Sequence, residues 1–342
     1  MKTIAPAGPA LRPGTTAVLL ALLGALAACS KDLGPFDGAR AKDLTGRIVA
    51  IGPRQPGTAN LRKVAELLAA ELKAVSPELE LQRQSFVDPA LGNGIEYQNL
   101  WVEIPGKQRT AGGPIIALAA HYDSKITHPG EQDFTFVGAL DAAASCATLV
   151  ELARHLTGER RLDHDVWLIF FDGEESIDWD WNDEKALIGS RHFARTMNAD
   201  KQRFPNGLAA RLKAFVLLDL LGDHEFKIDR DTESNSALLE IFAKAAERLG
   251  VREQLYHFES PMKDDHIPFK QQGVRVIDLI DFRFRPPAEH DPKVRDYEFG
   301  KRYFPFWHTK DDDMARVSAD SLGIVGNLVL EALPVIEKEL VK

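Results

Sequence analysis

The sequence predicts an α/β fold with a mixed, mostly parallel central sheet and helices on both faces, in a single domain. The first indication is a set of short apolar runs, of which residues 166–171 (VWLIFF) are the clearest. An uninterrupted apolar run between charged neighbours is typical of a strand that is buried on both sides of its sheet. Such runs alternate with segments of helical periodicity, and strands that are joined by helices usually lie parallel.

The predicted elements follow one another along the chain. Helices are expected at 60–75 (capped by Asn60), 142–156, 185–197, 233–249 (stopped by Gly250) and 318–340 (capped by Ser318). Strands are expected at 79–87, 97–104, 114–120, 166–171, 213–218 and 274–280. The stretch 281–306 is long, charged and rich in proline, and an insertion of that kind is usually functional or mobile.

Composition limits the class of protein. The 342 residues are 44% apolar and 27% charged, as in an ordinary soluble domain. The formal net charge of −9, without a run of lysine and arginine, argues against nucleic acid as a partner. Only two cysteines occur, so disulfides do not hold the fold together. We expect a monomer.

The N-terminus has the features of an export signal. Lys2 and Arg12 precede an apolar segment, 15–28, that is too short for a comfortable membrane span. It ends in Leu-Ala-Ala-Cys29, which resembles the lipobox of bacterial lipoproteins and implies cleavage before Cys29 and a lipid on that cysteine. The alternatives are a plain signal peptide or an uncleaved anchor.

These features predict the domain organisation and the location of the protein. Residues 1–28 are expected to be a lipoprotein signal peptide, 29–44 a tether and 45–342 the single folded domain. The protein is expected to be exported and lipid-anchored, in the periplasm or on the cell surface. Ser30, rather than aspartate, follows the cysteine, which favours the outer membrane.

Acidic and histidine side chains follow the predicted buried strands. His121, the Glu174–Glu175 pair and Asp219 each come directly after one, and the carboxyl edge of such a sheet is where ligands bind. Asp141 precedes a predicted helix. Alone, each residue has a structural explanation: a helix cap for Asp141, a hydrogen-bonded core histidine, a structural acid, or a solvated acidic loop. Their occurrence at several strand ends predicts a functional site.

His308 completes a set of metal-ligand types. Zinc binds imidazole nitrogen and carboxylate oxygen, and a catalytic zinc site leaves one position open. One glutamate of the pair could bind the metal while its neighbour moves protons. His266 stands apart because it adjoins Asp264 and Asp265. The remaining histidines are expected to be surface or packing residues: 128, 155, 164, 192, 224, 257 and 290.

Seven segments resemble the animal-type glutaminyl-peptide cyclotransferases, which share their fold with the zinc-dependent aminopeptidases. They are HYDSK (121–125), FVGALDAAASCATLVELARHL (136–156), LIFFDGEES (168–176), GSRHFA (189–194), VLLDLLG (216–222), DDHIPFKQQGV (264–274) and WHTKDDD (307–313). The resemblance begins near Ala59 and continues in the same order to the C-terminus. It implies a zinc-exopeptidase-like fold.

The resemblance also implies roles for individual residues. One zinc ion would be held by Asp141, Glu175 and His308. Glu174 would be the acid/base and would be hydrogen-bonded to Asp219 and Asp264. Cys146 lies where the animal enzyme has half of a disulfide, but the partner position is Ala120, so a buried free thiol is expected. The pocket for the N-terminal residue of the substrate would be formed by Trp307, by Trp181 (with Trp179 as the alternative) and by Met262 in place of an aliphatic residue.

The implied reaction converts the N-terminal glutamine of peptides or proteins into pyroglutamate with release of ammonia. The alternative is an aminopeptidase with two zinc ions, in which His121 and Asp219 would hold the second ion. The Asp141-Ala142-Ala143 run and the Asp264-Asp265-His266 run are closer to the cyclase pattern. In a cyclase, His121 would be hydrogen-bonded beside the metal. A catalytically dead binding protein is a third possibility, against which the intact ligand set argues.

Overall fold

The computed structural model describes Met1 and residues 34–282 and 306–341. Contacts divide the chain into two units, Met1–Lys31 and Asp32–Lys342, and all that follows concerns the second. The predicted signal peptide 1–28, the predicted lipidation site Cys29 and most of the insertion 281–306 lie outside the described residues.

A central sheet organises the described part of the chain. Its strands are β1 (Gln82–Val87), β2 (Glu96–Ile104), β3 (Ile115–His121), β4 (Asp165–Phe171), β5 (Leu212–Asp219) and β8 (Val276–Ile280). Their spatial order is β1-β2-β4-β3-β5-β8. β4, β3, β5 and β8 run parallel, and β1 and β2 extend the sheet in antiparallel pairs. The prediction of a mixed, mostly parallel sheet is confirmed.

Helices cover both faces of this sheet. They are α1 (Gly38–Val49), α2 (Ala59–Val75), α3 (Ala144–Thr157), α4 (Ile188–Ala199), α5 (Leu208–Arg211), α6 (Ser236–Leu249), α7 (Ile267–Lys270) and α8 (Ala319–Leu340). Side chains of β4 alternate between two apolar cores. Leu168 and Phe170 pack with α1, α2, α3, α6 and α8, whereas Ile169 and Phe171 pack with α4, α5 and α7. This alternation explains the continuous apolar run of the sequence.

The prediction of a tether over residues 29–44 is wrong from Phe36 onward. Phe36 is buried in the core and its amide donates to Asn327 on α8. α1 begins at Gly38, where the carboxylate of Asp37 accepts from the Arg40 amide and caps the helix. A Cβ at Gly38 would lie 1.9 Å from the Ala319 carbonyl oxygen, so only glycine permits this approach of α1 to α8. Tertiary packing therefore orders a stretch that is polar in sequence.

Other differences from the sequence prediction are local. α2 is capped by Thr58, whose hydroxyl accepts from the Leu61 amide, and Asn60 lies inside the first turn. A separate two-stranded sheet, β6 (Ile228–Asp231) with β7 (Leu255–Ser260), was not predicted because each strand is short and weakly patterned. The caps predicted for the last two long helices are confirmed, since Gly250 ends α6 in a left-handed conformation and Ser318 caps α8.

α8 meets the length and composition criteria for a membrane span, with a mean hydropathy of 1.5 in its most apolar window. Its apolar side chains lie in the domain core, where it packs against α1, α3 and α6. These contacts account for its composition as that of a core helix.

Candidate metal centre

The carboxyl edge of three adjacent parallel strands gathers the predicted site residues. β3 ends at His121, β4 leads into Glu174 and Glu175, and β5 ends at Asp219. β3 lies between β4 and β5 in the sheet, so these strand ends are neighbours in space. Each of these side chains is buried. The three strand ends therefore bring these four side chains to one edge of the sheet.

Asp141, Glu175 and His308 form the first group that could hold a metal ion. One donor atom from each lies within 4.8 Å of the others. His308 Nε2 is 3.0 Å from Glu175 Oε2 and 3.6 Å from Asp141 Oδ2. Asp141 Oδ2 is buried and has no hydrogen-bond partner among the described residues, which is costly for a carboxylate oxygen. Two carboxylates and an imidazole suit a divalent cation such as zinc.

The backbone around Asp141 is held by a residue that the sequence did not reveal. Asp141 has non-helical backbone angles and lies in an irregular turn before α3, so it is not the cap of that helix. The carboxylate of Asp312 accepts from the amides of Leu140 (2.7 Å) and Asp141 (3.2 Å). Asp312 stands four residues after His308. One segment therefore supplies a candidate ligand and also fixes the turn that carries another.

A buried arginine supports the same turn. Arg54 is fully buried and donates to the carbonyl oxygens of Tyr122, Val137 and Gly138. It thereby ties the chain after β3 to the chain before Asp141. A lone arginine before a helix carries no sequence signal for this role, which is visible only in the folded chain.

Glu175 is held as a carboxylate. Burial alone would raise its pKa, but the imidazole of His308 and the ammonium of Lys125 outweigh that effect and lower the pKa to about 2. An ionised side chain is the form that binds a metal. Glu175 is therefore ready to act as a ligand at neutral pH.

His308 is presented in a strained conformation. Its φ is +53°, in the left-handed region that non-glycine residues rarely adopt. Its ring is stacked on Trp307 with the ring centroids 3.9 Å apart, and it also contacts the rings of Phe136 and Trp179. Such strain persists where surrounding contacts over-determine the geometry, and it is common at functional sites.

His121, Asp141 and Asp219 form a second group that could hold a metal ion. His121 Nε2 lies 3.0 Å from Asp141 Oδ1 and 3.2 Å from Asp219 Oδ1, and Nδ1 lies 3.3 Å from Asp123 Oδ1. Burial would lower the pKa of His121, but hydrogen bonds with these three carboxylates raise it well above its usual value. The imidazole thus lies between Asp141 and Asp219. This is the position expected of His121 in a cyclase, where it would be hydrogen-bonded beside the metal.

Glu174 differs sharply from its neighbour. Burial, and then the charge of Asp264, raise the pKa of Glu174 well above its usual value. Burial and the charge of Asp219 do the same for Asp264. Within the described residues no hydrogen bond joins the carboxyl group of Glu174 to Asp219 or Asp264, although the resemblance implies both. Two carboxyl groups bond to each other only when a proton lies between them, and the raised pKa values favour that proton.

A further polar cluster surrounds His266, two residues after Asp264. His266 is fully buried, with Nε2 3.3 Å from Asp231 Oδ2 and Nδ1 3.8 Å from Asp278 Oδ2. The hydroxyl of Ser234 also donates to Asp231. Asp231 and Asp278 lie on strands, where a single acid gives no sequence signal of a buried partner.

The tryptophans are placed differently from one another. Trp307 is stacked on His308, and the Trp179 ring centroid lies 5.8 Å from that of His308. Trp181 Nε1 donates to the carboxylate of Asp183, and among the described residues Trp181 makes no ring contact with His308. The structure therefore brings Trp179, rather than Trp181, to the first metal group.

Met262 and Cys146 are both buried. Met262 belongs to the main apolar core, and its amide donates to Asp231. Cys146 is a free thiol, as expected, and its Sγ donates to the His121 carbonyl oxygen. Burial raises the pKa of this thiol to about 12, so it behaves as a small apolar residue.

Comparisons with known proteins place the chain in a family. The model of peptidase family M28 matches residues 99–333. The chain belongs to this family. A glutaminyl-peptide cyclotransferase-like protein of Bos taurus is 30% identical over 283 residues, which cover 77% of this chain and 67% of that protein. The range matched by the family model, 99–333, includes every residue of both candidate metal groups.

Solved structures agree with the M28 assignment. A glutaminyl cyclase of an Acidobacteriales bacterium superposes with a TM-score of 0.73 at 30% identity, covering 89% of this chain and 96% of that one. A Zn-dependent exopeptidase from Parabacteroides distasonis has a TM-score of 0.70 at 22% identity, covering 89% of this chain and 98% of that one. The second likeness shows the fold alone. The predicted relation to glutaminyl cyclases, on a zinc-exopeptidase-like fold, is confirmed.

Metal affinity distinguishes the two adjacent glutamates. Glu175→Gln removes a charged donor from the first group. Zn²⁺ affinity should fall on the order of 10²-fold or more, because even the loss of a residue that only supports a metal ligand lowers affinity by about 10- to 100-fold. Glu174→Gln should bind Zn²⁺ within a few-fold of the unchanged protein. The measurement is competition with a chromophoric chelator. Equal affinities of the two variants would contradict the assignment of Glu175 as a ligand.

Proposed function

We propose that this chain is a zinc-dependent glutaminyl-peptide cyclotransferase that acts on the N-terminal glutamine of peptides or proteins. The observation that carries the proposal is the pairing of Glu174, a buried carboxyl group with a raised pKa, with Glu175, an ionised carboxylate in a three-donor group. The likeness to the Acidobacteriales glutaminyl cyclase supports the choice of reaction.

The metal would be held by Asp141, Glu175 and His308, whose donor types and unpartnered carboxylate oxygen fit zinc. When bound, zinc supplies a Lewis acid for the γ-carbonyl group of the glutamine. With Glu175 and Asp141 anionic and the imidazole neutral, a bound Zn²⁺ would leave the centre without net charge. An uncharged glutamine side chain can enter such a site without an uncompensated charge.

Glu174 is the proton carrier. The α-amine of the substrate attacks its own γ-carbonyl carbon, so a carbon–nitrogen bond forms and closes a five-membered ring. Glu174 takes one proton from that amine and gives it to the departing amide nitrogen, which leaves as ammonia. The charge of Asp264, with Asp219 beyond it, makes the Glu174 carboxylate more basic. The reaction is intramolecular, so holding the substrate in the folded conformation supplies much of the rate.

Trp307 and Trp179 are proposed as the walls of the pocket for the N-terminal residue. Both indole rings contact the imidazole of His308, which belongs to the first metal group. Two indole rings offer apolar surface for the methylene groups of glutamine. Trp181 and Met262 remain candidates for more distant contacts with substrate.

The aminopeptidase reaction is the second candidate, because His121, Asp141 and Asp219 could hold a second ion. In that case, Glu174 would activate water for hydrolysis of the first peptide bond. Against it, the Asp141-Ala142-Ala143 and Asp264-Asp265-His266 runs are closer to the cyclase pattern, and the chain is similar to a solved glutaminyl cyclase. We therefore propose a single zinc ion.

The reaction products distinguish a glutaminyl cyclase from an aminopeptidase. Incubated with peptides that begin with glutamine, the purified protein should release ammonia and leave a peptide 17 Da lighter by loss of that ammonia, as an intramolecular displacement requires. Glu174→Gln should lower kcat on the order of 10²–10⁴-fold, because it cannot transfer the proton. Amino-acid anilides should not be cleaved. Release of free N-terminal amino acids without ammonia would establish the aminopeptidase instead.

We also propose that the protein is an exported lipoprotein and acts as a monomer on the membrane surface. The support for export and lipidation is the sequence alone: the charged start, the short apolar segment and Cys29 at its end. Residues 1–28 would be removed and Cys29 would carry the lipid, with the catalytic domain outside the cytoplasm.

Replacement of the cysteine tests the anchor. Cys29→Ser should abolish incorporation of labelled palmitate and release an active protein into the soluble fraction, because no lipid would remain to hold it. Ser30→Ala is the control and should retain both the label and the membrane association. An unmodified N-terminus, found by mass spectrometry of protein from the native host, would exclude a lipoprotein.

A further inference from the structure

Lys125 is a fully enclosed cation beside the candidate metal centre. Its side chain is 1% exposed, and Nζ donates to the carbonyl oxygens of Ser176 (2.8 Å) and Asp178 (3.0 Å). Nζ also lies 3.6 Å from Glu175 Oε2. An ammonium group has three donors, and here each one faces an acceptor. Burial of a charge is costly unless it is paired and hydrogen-bonded, and this lysine meets both conditions.

The acceptors belong to the loop that leaves the metal centre. Ser176 is the residue after Glu175, and Asp178 lies two residues further on. Trp179 comes next and contacts His308. Lys125 itself follows β3, which ends at His121. One side chain therefore connects the end of a central strand, a candidate metal ligand and the loop that carries a wall of the pocket.

The contacts of Lys125 indicate that it is more than a counter-ion for Glu175. A counter-ion for Glu175 needs only the carboxylate, whereas the two contacts with loop carbonyl oxygens are shorter than the contact with Glu175. Among the described residues, Lys125 is the only donor to the carbonyl oxygens of Ser176 and Asp178, so it contributes directly to their position. Lys185 also bonds to Asp178, but through the carboxylate and from a side chain that is 43% exposed.

We propose that Lys125 is a positioning residue for substrate binding, which sets the distance between the first metal group and the Trp179 wall of the pocket. The identity of the substrate in this inference rests on the proposed function, whereas the ordering of the loop does not. Without Lys125, the carbonyl oxygens of Ser176 and Asp178 lose their donor. Trp179 is then held less firmly against His308 by the contacts that remain, which include those of His128 with Ile177 and of Phe134 with Trp179. The loss should therefore appear in substrate binding rather than in proton transfer by Glu174.

The test compares Lys125→Met with Lys185→Met in the full-length protein. Methionine keeps the apolar stem of the lysine and removes its charge and donors. In the metal-free protein, amide hydrogen exchange of Ile177, whose N–H donates to the Lys185 carbonyl oxygen, should be roughly tenfold faster or more in Lys125→Met, because the loop opens locally. In Lys185→Met it should stay within about twofold of the unchanged protein, because surface ion pairs contribute little.

Kinetics with a glutamine peptide give the second measurement. KM should rise about 10- to 100-fold in Lys125→Met with kcat within about threefold, as expected for a misplaced binding wall. Lys125→Gln, which leaves a smaller void and can still donate to one carbonyl oxygen, should show a smaller change of the same kind. Lys125→Gln also provides the test if Lys125→Met does not fold.

Unchanged exchange and KM in both Lys125 variants would overturn the inference, as would a fall in kcat at constant KM. If the unchanged protein released no ammonia, the proposed function would fail, but the exchange comparison would still decide the role of Lys125.

Discussion

The carboxyl edge of the sheet confines several carboxyl groups to a space from which water is largely excluded. Asp141, Glu175 and Asp219 lie around two histidines, and burial together with the charge of Asp264 raises the pKa of Glu174. Buried like charges repel strongly, and a cation is the direct way to stabilise them. The remainder of the fold provides the strand ends, the turn at Asp141 and the loop of His308 that keep these groups together.

The contrast between Glu174 and Glu175 shows how neighbouring residues of one type acquire different chemistry. Burial raises the pKa of both, but the charges of His308 and Lys125 outweigh it at Glu175, whose pKa falls to about 2, whereas the charge of Asp264 adds to it at Glu174. An ionised carboxylate is suited to a metal, and a carboxyl group of raised pKa is suited to carry a proton. A turn after β4 is sufficient to direct the two side chains into these different environments.

The sequence was most informative where a pattern is repeated locally. The apolar runs identified the parallel strands, and the position of polar residues directly after them identified His121, Glu174, Glu175 and Asp219. Contacts between distant segments were not predictable. α1 is ordered by packing against α8, and Trp179 rather than Trp181 reaches His308 because of how the loop after Glu175 folds. Asp312, Arg54 and Lys125 act through backbone groups, which no residue pattern reveals.

The stoichiometry of metal activation tests the single-zinc centre most directly. Metal-free protein would be titrated with Zn²⁺ while ammonia release from a glutamine peptide is followed, with total bound metal measured at each point. Activity should rise linearly and reach its maximum at one equivalent of bound zinc, because in this proposal Asp141, Glu175 and His308 would form one complete site. A requirement for two equivalents, with His121→Ala losing the second ion, would contradict the single-zinc cyclase and favour the dinuclear aminopeptidase.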